Sequence, residues 1–119
     1  MTLLSKDQIL GISDREFVEV EVPQWGGSVR IGTMSAADRD AFEASMLPEK
    51  GKKQKDQMAN FRARFVARCL CDDEGNRLFS DKDVVELGRK NASVLSMLFD
   101  EARKLNGMTE EDAEELAGN

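Results

Sequence analysis

Two periods of apolar residues run along this chain. Val18, Val20 and Val22 alternate with Glu19 and Glu21, and Val29 and Ile31 alternate with Ser28, Arg30 and Gly32. A period of two is that of a half-buried strand. Between these runs lies Pro23-Gln24-Trp25-Gly26-Gly27, whose glycines suit the positive φ of a tight turn. The pattern predicts a β-hairpin with one valine/isoleucine face. A lone hairpin is marginal in water, so that face must rest on other elements.

The remainder has the helical period. Between Gln57 and Cys71, Met58, Phe61, Phe65 and Cys69 recur at three and four with Val66 alongside, leaving Arg64 and Arg68 on the opposite face. Between Asn91 and Asn106, Val94, Leu95, Leu98, Phe99, Ala102 and Leu105 make a wider stripe, and Phe42 with Met46 a weaker one. Ser5–Gln8 has the form of a capping box, closed by Gly11; Ser35–Asp38, Ser80–Asp83 and Thr109–Asp112 repeat it with Asp third after the hydroxyl. Gly88 and Gly107 stand where a left-handed residue ends a helix. The expected fold is α+β and mainly α, an N-terminal hairpin packed on four to five short helices. Residues 1–108 read as one globular domain with a flexible basic loop at about 47–56, and 109–119 as an acidic, mobile segment with only Ala113 and Leu116 to bury.

Composition narrows the function. The 119 residues contain no His and no Tyr, which removes Ser-His-Asp and Cys-His nucleophiles and histidine metal sites. Cys69 and Cys71, read within one helix, would point roughly 200° apart and so neither pair nor share a metal. No signal peptide opens the chain and no apolar run spans a bilayer, so a cytosolic protein is expected, with no membrane partner and no cofactor. Asp72, Glu74, Asn76 and Asp83 mimic a calcium loop, but Arg77 takes the place of its obligatory glycine.

The net charge of −6 hides a division. Lys50 to Arg68 holds seven bases (Lys50, Lys52, Lys53, Lys55, Arg62, Arg64, Arg68) against Asp56, while residues 100–119 carry seven acids and two bases. Three readings stand: a solvated surface, a contact with an acidic protein surface such as the C-terminal end of another copy, or phosphate binding. Phe61 and Phe65 belong to the apolar stripe, so the aromatics that stack on bases are missing and nucleic acid is disfavoured. Glu110, Glu111 and Asp112 are the candidate acidic partners of the basic stretch. Trp25, on the hairpin tip, either folds back over the core or stands out as an interface anchor.

The run Arg68-Cys69-Leu70-Cys71-Asp72-Asp73-Glu74-Gly75-Asn76-Arg77-Leu78-Phe79-Ser80-Asp81-Lys82-Asp83-Val84 leads into Leu87-Gly88, Ala92-Ser93-Val94-Leu95 and Leu98-Phe99, and the tail Leu105-Asn106-Gly107-Met108-Thr109-Glu110-Glu111-Asp112 completes it. Over about residues 60–119 this resembles the tail assembly chaperones of long-tailed, non-contractile bacteriophages and related prophages. The stretch from Glu16 to Glu43 resembles their strand-turn-strand-helix opening, less specifically. The resemblance implies a non-enzymatic factor that binds the tape-measure protein, helps tail-tube protein polymerise around it, and is absent from the finished virion. It implies action in the host cytoplasm, and a longer form made by ribosomal frameshifting. It supplies no catalytic residue. Segregated charge adds the expectation of a homo-oligomer in which Lys50–Lys55 meets a neighbour's acidic end. The alternative is a small nucleic-acid-associated adaptor working through residues 50–68.

Overall fold

The alternating valines form β1 (Phe17–Val22), and Val29 and Ile31 lie on β2 (Gly27–Gly32). The strands pair antiparallel, with Val18 opposite Ile31 and Val20 opposite Val29. One turn of 3-10 helix, Pro23–Trp25, joins them, and only Gly26 of the two turn glycines takes a positive φ, at 73°. Val22 and Ile31 are fully buried, while Glu19 and Glu21 face outward. The computed structural model describes residues 2–47 and 60–117. Met58 and the expected loop at about 47–56, apart from Leu47, lie outside the described residues.

Among the described residues there are six α-helices: α1 (Lys6–Gly11), α2 (Ala36–Ser45), α3 (Phe61–Cys69), α4 (Val84–Leu87), α5 (Ala92–Leu105) and α6 (Glu110–Leu116). The fold is α+β and mainly α, as the periods predict. One strand escaped them. Leu70 turns extended at the end of α3, and β3 (Leu70–Cys71) joins β2 antiparallel, giving the order β1-β2-β3. The helix therefore stops at Cys69, and the helical reading of the two cysteines is corrected: Cys69 ends α3 and Cys71 sits on the sheet. Both are buried and free.

The sheet and helices meet over a core in which α5 packs on α3 and on both hairpin strands. Phe42, Phe61, Phe99 and Phe65 form a closed cycle of rings, neighbouring centroids 5.3–5.8 Å apart. Tilted and edge-on aromatic pairs contribute about 0.5–1.5 kcal/mol each beyond their burial. The cycle ties α2, α3 and α5 together.

Beyond the early stop of α3, the glycines expected to end helices divide. After α5, Gly107 has φ 71°, and the Met108 and Gly107 amides donate to the carbonyls of Arg103 and Lys104, the two bonds of a Schellman motif. Gly88, expected to be left-handed, has φ −65°. Its glycine answers to space instead: a Cβ there would collide with Asn60 Oδ1.

Candidate functional site

With Val94, Leu95, Leu98 and Ala102 of α5 turned into the core, its flank at positions 96, 99, 100 and 103 lines a cleft of about 480 Å³. Phe61 and Arg62 of α3 form one wall, and Glu110, Ala113 and Glu114 of α6 the other. Phe61, Arg62 and Ser96 also line a second cleft of about 260 Å³ that runs on to Gly88 and Lys90. The two clefts adjoin along α5, each lined by apolar and charged side chains together.

Arg103 is the principal charge in the floor. Its side chain is only 9% exposed, and Nη1 donates to the Met108 carbonyl oxygen at 3.0 Å. Asp100 Oδ1 lies 3.7 Å from Nε and Glu110 Oε1 lies 3.9 Å from Nη2, both beyond hydrogen-bond reach. Nε has no hydrogen-bond partner among the described residues. Leaving a buried donor unmade is costly, so the groove is a polar-anchored surface and not a plain apolar slot. The helical period places Arg103 beside the stripe, but nothing in the sequence marks it as buried.

The candidate residues of the charge argument fall in several places. Trp25 stands at the hairpin tip, 37% exposed. Lys50, Lys52, Lys53 and Lys55 lie outside the described residues. Arg64 and Arg68 are one turn apart on α3, both half-buried. Arg68 donates to Asp81 at 2.9 Å, and Arg77 holds the other oxygen of that carboxylate at 3.1 Å, so Arg68 fastens α3 to the turn before α4. Glu110, Glu111 and Asp112 share the first turn of α6. Glu110 rims the groove, Glu111 is exposed, and Asp112 completes the cap with the Thr109 amide. That hydrogen bond holds the Asp112 carboxyl below its ordinary range.

The opposite end of the chain is less expected. α1 opens with a complete capping box, Ser5 with Gln8, yet buries no residue. Leu3, Leu4, Ile9, Leu10 and Ile12 are all more than half exposed, with Leu3 at 95%. They are five of the nine large apolar side chains exposed among the described residues. Sequence reading registers the cap and Gly11; the exposure is visible only in three dimensions.

Neither cysteine is a poised nucleophile. Burial pushes the Cys69 thiol up to about 12, and burial raises Cys71 as well. Asp72, the first position of the calcium-like count, accepts from the Asn76 and Glu74 amides at 2.9 Å, closing the acidic turn on itself. Among the described residues, no group of three or more His, Cys, Asp or Glu could hold a metal, and no helix is long and apolar enough to cross a membrane.

Comparison with known proteins agrees with this frame. The solved structure of the bacteriophage HK97 tail assembly chaperone is similar in fold, with a TM-score of 0.57 at 20% identity, over 76% of this chain and 85% of that one. No curated protein matches the sequence. The family model described as phage tail assembly chaperone matches residues 13–118, beginning just after the exposed N-terminal segment. Since that match takes in nearly the whole described body, hairpin through α6, the chain belongs to the phage tail assembly chaperone family.

Proposed function

We propose that the protein holds the tape-measure protein of a long, non-contractile phage or prophage tail and promotes polymerisation of tail-tube protein around it. It does so without catalysis, in the host cytoplasm, and does not remain in the virion. The observation that carries this reading is the family match over residues 13–118. The groove along α5 supports it physically. Apolar and charged side chains side by side suit an amphipathic segment, and an exposed apolar arm suits assembly into several copies. The working form is a homo-oligomer acting beside a frameshifted longer form, with the acidic 109–119 segment available to a basic neighbour.

Co-expression with the large helical protein encoded next to it tests the reading. The client is expected in the soluble fraction only when this chain is present; an insoluble client in both cases overturns the proposal. Of the basic stretch behind the nucleic-acid alternative, Arg68 is engaged with Asp81. A gel shift at low salt that weakens steeply as salt rises would favour that alternative.

A further inference from the structure

We propose that Asn106–Gly107 is a self-modification site, where the Asn106 amide converts to Asp or isoaspartate at a rate set by opening of the turn that seats α6. Of the asparagines Asn60, Asn76, Asn91, Asn106 and Asn119, Asn106 alone is followed by glycine. Asparagine is a thermolabile side chain, and a following glycine has no side chain to obstruct the approach of its nitrogen. The reaction is intramolecular. The Gly107 nitrogen gives its proton to hydroxide and adds to Asn106 Cγ, the Cγ–Nδ2 bond breaks, and ammonia leaves with a proton from water. Water then opens the ring at either carbonyl, giving Asp or an isoaspartate whose main chain runs through Cβ.

The closed turn holds the reacting atoms apart. Asn106 has ψ 5°, which puts the Gly107 nitrogen on the side of Asn106's own nitrogen and away from its side chain. The Gly107 N–H donates to the Lys104 carbonyl oxygen at 3.1 Å. The side-chain amide is fixed at both ends. Its Oδ1 accepts from the Met34 amide at 2.8 Å, and its Nδ2 donates to the Ala102 carbonyl oxygen at 2.8 Å. Attack requires these contacts to be released together, which is an opening of the Schellman turn and of α6 with it. Reclosing does not undo the product. A carboxylate in place of Nδ2 sets oxygen against the Ala102 carbonyl and adds negative charge at the negative end of the α5 dipole. Isoaspartate also lengthens the main chain inside the turn that delivers Met108 into the core. A transient opening of α6 is thereby made permanent.

Holding the full chain in mildly alkaline buffer and mapping its peptides by mass tests this. Conversion should be confined to Asn106, should release ammonia, and should quicken as pH rises. It should run roughly tenfold slower than in the same chain unfolded in guanidinium chloride. Ala113→Glu, which strikes the α6 seat, should speed it several-fold, and Thr109→Ala, which removes the cap, should speed it less. Equal rates in the folded and unfolded chain overturn the proposal, as does an intact Asn106 in the unfolded one. Converted protein, separated by charge, should exchange its α6 amides faster than the parent, and Asn106→Asp should do the same. Unaltered α6 exchange in both would overturn the loss of the seat.

Discussion

α1 and α6 are both short helices opened by complete capping boxes, and they lie in opposite relation to the body. The apolar one stands off it, with Ile9 and Leu10 exposed. The acidic one, Glu110–Leu116, is seated on it through Ala113, with Leu116 and the preceding Met108 packed on the core. Caps decide where a helix begins; they do not decide where it goes. Placement follows the surface on offer. α6 inherits its seat from the Schellman turn at Gly107, which delivers Met108 into the core and aims the next helix along α5. α1 is followed by an exposed link, Ile12 to Glu16, and receives no such direction.

Removing the seat should have the largest effect. Phe99→Ala opens the ring cycle and the groove floor together, and should cost about 3–5 kcal/mol in urea unfolding. α6 should lose its order with the body, while the local protection of α1 amides stays as it was. Ala113→Glu strikes only the docked face and should cost about 1–3 kcal/mol, whereas Leu10→Glu should change monomer stability by no more than about 0.5 kcal/mol. Equal losses in these two variants would erase the contrast between the helices.

The caps test it more finely. Thr109→Ala should cost about 1 kcal/mol, seen as faster amide exchange in α6. Ser5→Ala should leave global stability alone and act on self-association only. The smallest difference is in pH. The α6 box is closed by the Asp112 carboxylate and the α1 box by the neutral Gln8 amide. Asp112 has a folded pKa below its unfolded value, because the Thr109 amide stabilises its charged form. Its support is therefore complete above the ordinary Asp value of about 4 and is lost as pH falls through the lower folded value. Exchange in α6 should accelerate in acid while that in α1 does not.

Much of the body was legible because its elements are long enough to show a period. Val18 to Val22, Val29 with Ile31, and the α5 stripe each repeat often enough to specify a buried face. β3 was not, because two residues cannot display alternation and Leu70 continues the apolar stripe of α3 without a break. Gly88 was misread because a glycine that makes room for Asn60 looks the same in sequence as one that turns left. The site was less legible than the fold. The charge runs are plain in sequence, but whether an arginine is free or fastened depends on tertiary partners, as Asp81 shows for Arg68. The exposed arm leaves no trace, since Leu-Leu and Ile-Leu read as ordinary core material until the core is seen to exclude them.

Trp25 gives the molecule an optical asymmetry. With no tyrosine and a single tryptophan, all its ultraviolet emission of consequence comes from the hairpin tip. A partner that covers the tip should shift that emission to the blue, while one that enters the α5 groove, lined by phenylalanine, should leave it unchanged. The same fluorescence scan thus separates two modes of encounter without any label.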